Sequence, residues 1–88
     1  MQEQLLEAHQ KTYDAVFQHP ISRGIAWRDI HAMLNALRNV VLEEHEWTLK
    51  LTRNGRSMVL HRPYHKTLSD VRELMNLRRF LEQSATHT

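Results

Sequence analysis

The sequence has no cysteine, which excludes disulfide bonds, thiolate metal sites and a cysteine nucleophile. With only two glycines and two prolines, it is a poor candidate for long structureless loops. No apolar run approaches the ~20 residues that a membrane-spanning helix needs. The polar segment 1–11 also lacks the charged-then-apolar layout of a secretion signal. We therefore expect a cytoplasmic protein that does not interact with a membrane.

Charge is unevenly distributed along the 88 residues, although the net charge is only +2. Residues 1–46 hold four Lys and Arg against seven Asp and Glu, whereas residues 47–88 hold eight against three. A basic second half permits a phosphate-binding surface. The alternative is that these cations only solvate a sheet and discourage pairing at its edge.

Two amphipathic helices are predicted in the first half. Residues 2–17 place apolar side chains at spacings of three and four among strong helix formers. Pro20 and Gly24 interrupt this pattern, so residues 19–26 are predicted to form a connection. A second helix should begin near Trp27 and have Arg38 in its last turn, with Asn39 as a left-handed cap.

Three strands are predicted next. The first covers Val40 to Glu44 or His45, the second alternates apolar and polar residues over 47–52, and the third covers 56–61. Asn54-Gly55 between the last two is a strong signal for a two-residue hairpin turn.

The two-residue turn fixes the hairpin register, in which Arg53 pairs with Arg56 and Thr48 with His61. Because side chains alternate along a strand, this register predicts one buried and one open face. The buried face comprises Trp47, Leu49, Leu51, Met58 and Leu60. The open face comprises Thr48, Lys50, Thr52, Ser57, Val59 and His61.

A last helix is predicted from about Leu68 to Gln83, with Thr67 and Asp70 forming a capping box. The fold class is therefore α+β, a two-layer domain in which helices cover one face of a three-stranded antiparallel meander. The order is α-α-β-β-β-α. Residues 1–88 form a single domain, with an additional N-terminal helix over 1–19, a core over 20–83 and a frayed tail over 84–88.

No metal site or nucleophile stands out. His61 and His65 have the only metal-like spacing, but Pro63 lies between them and no carboxylate is close in sequence. No motif joins a serine to a base, and Gly24 and Gly55 stand alone rather than in a phosphate-binding loop. We expect no metal and no cofactor.

The stretch 47–66 is the best candidate for a functional surface, because it carries five of the twelve Lys and Arg and no acid. Such a surface can hold a nucleic-acid backbone, and a histidine on it could assist attack of a ribose 2′-hydroxyl on its phosphate. Candidate RNA-binding residues are Lys50, Arg53, Arg56, Arg62, Tyr64 and Lys66, with Tyr64 placed to stack on a base. Weaker candidates for catalysis are His61, His45 and His65.

Three short motifs resemble HicA-like toxins of bacterial toxin–antitoxin systems. They are Trp-x-Asp-Ile-x-x-Met-Leu-x-x-Leu at 27–37, Leu-His-Arg-Pro-Tyr-His-Lys-Thr-Leu at 60–68, and Leu-Arg-Arg-Phe-Leu at 77–81. The similarity covers about residues 20–83. It implies a small fold like that of double-stranded-RNA-binding domains, cleavage of mRNA without a metal, and neutralisation by a HicB-type antitoxin.

The sequence departs from this family at the catalytic position. Family members carry a catalytic histidine in a Gly-Ser-His motif that opens the second strand, whereas the corresponding place here is Glu46-Trp47-Thr48. His61 is predicted to lie across from Thr48 and could occupy similar space from the neighbouring strand. His45 is close in sequence but displaced.

Three functions follow as alternatives. The first is a HicA-like RNA-associated protein, either an mRNA interferase (a metal-independent endoribonuclease) or a relative with altered or lost catalysis. The second is a nucleic-acid-binding module without chemistry, and the third is a structural domain that binds a protein partner. The expected partners are RNA, a HicB-like antitoxin and a second copy held through the amphipathic N-terminal helix.

Overall fold

A computed structural model describes residues 6–18 and 24–85 and shows an α+β domain. The predicted order α-α-β-β-β-α is confirmed, with two additional short strands. The helices are α1 (Glu7–Val16), α2 (Trp27–Ala36) and α3 (Val71–Ser84). The strands are β1 (Ile25–Ala26), β2 (Val40–Glu44), β3 (Thr48–Arg53), β4 (Arg56–His61) and β5 (Thr67–Leu68). Within the described ranges, no helix is both long and apolar enough to cross a bilayer.

Strands β2, β3 and β4 form an antiparallel sheet in that order. Asn54 and Gly55, between β3 and β4, have φ angles of 49° and 82°, as the predicted two-residue turn requires. The predicted register is confirmed at every pair of this hairpin, including Thr48 with His61. The turn therefore determines which side chains of β3 and β4 meet the helices.

Helices α2 and α3 cover one face of the sheet. Leu49, Leu51 and Leu60 are buried on that face as predicted, and Met58 is half-buried. The two helices contribute Ile30, Met33, Leu34, Leu74, Leu77, Phe80 and Leu81 to the same core. Burial of these apolar side chains, roughly 1.5–3 kcal/mol for each, is what holds the layers together.

The prediction that Trp47 belongs to the buried face was wrong. Trp47 lies in the turn before β3 and its residue surface is 54% exposed. The backbone N–H of His45 donates to the Thr48 carbonyl at 2.9 Å and closes this turn. Trp47 lies just outside β3 and is joined to the residue after β4 only by a hydrogen bond to its carbonyl, so alternation between faces does not fix the position of its side chain.

Helix α2 begins at Trp27 as predicted but ends at Ala36, so Arg38 lies outside its last turn. Asn39 has a φ of 62°, which confirms its left-handed conformation. The chain enters β2 at the next residue, so Asn39 marks the change of direction between helix and sheet.

The short ladder between β1 and β5 was not predicted. Ile25 pairs with Leu68 and Ala26 with Thr67, and the Trp27 backbone N–H donates to the Lys66 carbonyl at 2.8 Å. This ladder joins the segment before α2 to the segment before α3. Two-residue strands are too short to show a periodic pattern in sequence.

The predicted cap of the last helix was wrong. Thr67 is in β5, and α3 begins at Val71 rather than near Leu68. Asp70 is the N-cap, because its Oδ1 accepts hydrogen bonds from the backbone N–H groups of Arg72 at 2.9 Å and Glu73 at 3.3 Å. Asp70 thus satisfies donors that the first turn of α3 cannot pair internally.

Helix α1 packs on the other two helices of its own chain, and Val16 is fully buried among them. The Arg78 guanidinium, from α3, donates from Nε to the Val16 carbonyl at 3.0 Å and from Nη2 to the Gln18 carbonyl at 2.9 Å. Arg78 is only 8% exposed, and these carbonyls at the end of α1 supply the partners that a buried cation needs.

The ends of the predicted segments lie partly outside the described residues. This applies to the start of the first helix at residue 2 and to most of the connection over 19–26. In the predicted tail 84–88, Ser84 is the last residue of α3 and is 1% exposed, so it belongs to the packed domain. Residues 86–88 are outside the described part of the chain.

Replacing Asp70 with alanine is expected to destabilise the fold by ~1 kcal/mol, because two backbone donors of α3 lose their acceptor. The matched control is Ser69→Ala, an exposed neighbour outside the cap. Urea unfolding measures both changes. Equal stability of the two variants would contradict this capping role.

Candidate nucleic-acid interface

The five basic side chains of residues 47–66 do not share one surface. Arg53 is only 4% exposed, because it follows Leu49 and Leu51 on the helix-covered face, so its prediction as an RNA contact was wrong. Arg56 pairs with Arg53 and has its Nη1 3.5 Å from Oε1 of Gln83 in α3. Strand pairing thus assigns both arginines to the helix side of the sheet.

The open face is less cationic than the hairpin sequence indicates. Lys50 is exposed there, but β2 places Glu43 opposite it, and β4 places Val59 on its other side. Val41 and Val59 are 63% and 46% exposed. An acid next to the lysine and two exposed valines make this face a poor continuous phosphate track.

His61 lies across from Thr48 as predicted, and Glu73 of α3 contacts both its backbone and its ring. The His61 backbone N–H donates to Glu73 Oε1 at 2.7 Å, and His61 Nδ1 lies 3.3 Å from the same oxygen. Because β4 is an edge strand, this carboxylate pairs an N–H that the sheet leaves open. Glu73 therefore ties the end of β4 to the start of α3.

A different constellation surrounds a cleft of about 440 Å³ between α2 and the end of the sheet. We call this space the helix–sheet cleft. It is lined by Trp27, Arg28, His31, Ala32, Asn35, Glu44, His45, Thr48, Leu49 and Arg62. Two of the candidate residues, His45 and Arg62, are in this set, whereas His61 and His65 are not. The cleft also contains Thr48, where the HicA-like family carries its histidine.

His31 is the best-positioned imidazole of the cleft. Its Nε2 lies 2.7 Å from Glu44 Oε1, and its Nδ1 lies 3.2 Å from the side-chain nitrogen of Asn35, one helical turn further along α2. The Nε2 contact is an ion pair only when the imidazole is protonated, and its geometry is not that of a well-aligned hydrogen bond. Both ring nitrogens are thus contacted, which restricts the orientation of the ring.

Sequence reasoning missed His31, although two signals point to it. Trp27, His31 and Asn35 recur at intervals of four and therefore share one side of α2. Glu44 alternates with Val40 and Leu42, so the β2 pattern assigns it to the helix side of the sheet. A pairing between α2 and the end of β2 follows once the helix is placed over that face.

An exposed aromatic pair, which we call the aromatic platform, lies next to the cleft. The ring centroids of Trp47 and Tyr64 are 5.6 Å apart with planes inclined by 50°. Trp47 is 54% exposed and Tyr64 is 90% exposed. The backbone N–H of Arg62 donates to the Trp47 carbonyl at 2.9 Å, so the same residue joins the platform to the cleft.

The remaining candidates lie outside this arrangement. His65 and Lys66 are exposed in the loop before β5, and the Lys66 carbonyl anchors the first residue of α2. Among residues 6–18 and 24–85, no cluster of three or more His, Asp or Glu side chains has the arrangement of a metal site. The ionisable side chains that line the cleft are Arg28, His31, Glu44, His45 and Arg62.

Comparisons with protein-family models, with curated proteins and with solved structures find no match to this chain. The resemblance to HicA-like toxins therefore depends on the three short sequence motifs and on the order of the main elements.

Proposed function

We propose that this protein is a HicA-like RNA-binding protein that holds single-stranded RNA at the helix–sheet cleft and the aromatic platform. The observation that carries the proposal is the position of Arg62. This arginine lines the cleft and is hydrogen-bonded through its backbone to Trp47 of the platform. Cations for the backbone and aromatic faces for the bases are the two elements of single-strand recognition.

The two parts of the site would act on different parts of the nucleotide. Arg28 and Arg62 in the cleft offer planar guanidinium groups that suit phosphate oxygens. Trp47 and Tyr64 expose ring faces on which bases can stack, a contact worth ~1–3 kcal/mol per base. Stacking needs unpaired bases but does not depend on which bases they are. This site therefore favours single-stranded RNA without selecting a particular sequence.

The biological setting follows from the sequence resemblance. As a HicA-like member of a bacterial toxin–antitoxin system, the protein would act on RNA in the cytoplasm and be controlled by a HicB-like antitoxin. The three motifs support this setting. The departure from the family is at residues 46–48, where Glu46-Trp47-Thr48 replaces Gly-Ser-His. Binding of RNA does not require that histidine, so it is the primary proposal.

Binding of a single-stranded RNA oligonucleotide is expected to weaken steeply with salt. Each phosphate contact adds about −0.7 to the log–log slope. The double variant Arg28→Ala, Arg62→Ala should bind more weakly, with a slope shallower by about 1.4, as expected for two lost contacts. Fluorescence anisotropy across a salt series measures both quantities.

The matched control for this experiment is Arg72→Ala, an exposed arginine in the first turn of α3 outside the cleft. This variant removes a single arginine that does not line the cleft, so it should leave the salt slope of RNA binding unchanged. No RNA binding at low salt, or the same slope for the double variant and the wild type, would contradict the proposal.

Metal-independent RNA cleavage is a second candidate function, favoured by the contacts of His31. In this reaction one group takes the proton of a 2′-hydroxyl, whose oxygen attacks the adjacent phosphorus, and another gives a proton to the departing 5′-oxygen. The products are a 2′,3′-cyclic phosphate and a 5′-hydroxyl. His31 and His45 line the same cleft and can supply the two groups. Glu44 would orient the His31 ring at Nε2, and Nδ1 would exchange the proton once RNA displaces its exposed contact with Asn35.

If the protein cleaves RNA, His31→Ala is expected to lower the rate by about 10²–10⁴-fold, as for loss of a general acid or base. Glu44→Gln should have a smaller effect, because it releases the ring without removing it. The assay follows single-stranded RNA in the presence of a chelator. His9→Ala, in α1, is the control and should cleave at the wild-type rate.

His61→Ala distinguishes this site from the earlier hypothesis of a relocated histidine on β4. Its cleavage rate should remain close to wild type, since His61 does not line the cleft. Full activity in His31→Ala together with loss in His61→Ala would place the chemistry on the open face and overturn the assignment to His31.

A further inference from the structure

A second groove, of about 500 Å³, runs between β4 and α3 and shares no lining residue with the helix–sheet cleft. We call it the edge groove. One wall is formed by the consecutive residues 55–59, and the other by a single side of α3. The helix wall comprises Asn76, Arg79, Phe80 and Gln83, at intervals of three and four.

The strand wall of the edge groove offers unpaired backbone groups. The backbone N–H of Arg62 points toward β3, because it donates to Trp47, whereas that of His61 points outward to Glu73. Backbone groups alternate in direction along an antiparallel strand, so Ser57 and Val59 point outward like His61. Neither forms a backbone hydrogen bond to another element among the described residues.

The groove has a defined end and length. Glu73 occupies the outward N–H of His61, so a new strand can pair along β4 only as far as Val59. Five residues from Gly55 to Val59 extend about 17 Å at ~3.4 Å per residue. This length suits an added strand of five or six residues rather than a long sheet extension.

The charge of the groove selects among occupants. Arg56 and Arg79 line it, and no acid does. If a second copy paired through its own β4, the two grooves would adjoin and line one seam with four arginines and no acid, an arrangement that like-charge repulsion opposes. An extended segment with acidic side chains toward α3 would instead complement both arginines.

We propose that the edge groove binds an acidic, extended segment of a partner protein, which adds to β4 as a fourth strand of the sheet. Backbone hydrogen bonds to Ser57 and Val59 would supply affinity, as in other strand-addition interfaces. Side chains directed toward α3 would be acidic to meet Arg56 and Arg79. Side chains on the opposite face would be apolar to cover Val59, which is 46% exposed.

The test uses a synthetic eight-residue peptide that alternates glutamate and valine, and a control peptide with lysine in place of glutamate. The acidic peptide should bind, and Ser57 and Val59 should gain protection from amide hydrogen exchange. Arg79→Glu should weaken binding about tenfold or more, a change of ~1.4 kcal/mol or more. Arg72→Glu, the same charge change on α3 outside the groove, should not.

Further variants separate this proposal from RNA binding. Arg62→Ala removes a cleft cation and should leave peptide affinity unchanged, whereas Arg79→Glu should leave RNA affinity unchanged. Val59→Pro removes one outward N–H from an edge strand, where proline is tolerated, and should abolish peptide binding, while Val59→Thr should retain it. Thermal unfolding checks that each variant is folded before its binding is compared.

Several results would overturn the proposal. One is failure of the acidic peptide to bind, and another is equal binding of the two peptides. A third is undiminished binding by Arg79→Glu. Protection of Ser57 and Val59 in the free protein that rises with protein concentration would show that the occupant is a second copy of the chain.

Discussion

The two-residue turn at Asn54-Gly55 sets the register of the β3–β4 hairpin and, through it, which side chains pack against the helices. Two residues with positive φ allow one register between β3 and β4, and that register divides the hairpin between core and solvent. The Asn54 side-chain amide also donates to the Ser84 carbonyl at 2.7 Å. The tip of the hairpin is therefore fixed to the last turn of α3, which holds the helix beside β4 and forms the edge groove.

Local chemistry explains how much of the fold was predictable. The hairpin, its register and the start of α2 follow from a turn dipeptide and from periodicities that extend over many residues. The burial of Trp47 and the cap at Thr67 were wrong because both residues lie between elements, where alternation and helical spacing no longer apply. No local sequence pattern predicts the β1–β5 ladder or the contact of Arg78 with the end of α1, because each joins segments that are distant in sequence.

The candidate site was only partly predictable for the same reason. Arg62 and Tyr64 were selected from the basic stretch 47–66, and His45 was selected because it is close in sequence to Thr48. The structure places all three at or beside the helix–sheet cleft. Arg53 was predicted to contact RNA because of its charge, although its position on β3 puts it on the same face as Leu49 and Leu51. The cleft also needs His31 from α2, and the contact between that helix and Glu44 exists only after the layers pack. One basic hairpin thus contributes to two separate surfaces.

The proposed RNA site and the proposed protein-binding groove use different residues at the two ends of the hairpin, and an NMR titration can distinguish them. A short single-stranded RNA would be added at low salt to ¹⁵N-labelled protein. We expect shifts in the backbone amides of His31, His45 and Arg62 and in the Trp47 indole N–H. Resonances of Val59 and Arg79 should not move. Shifts concentrated at Lys50 and Val59, or at Arg79 in the edge groove, would show that RNA does not bind in the helix–sheet cleft.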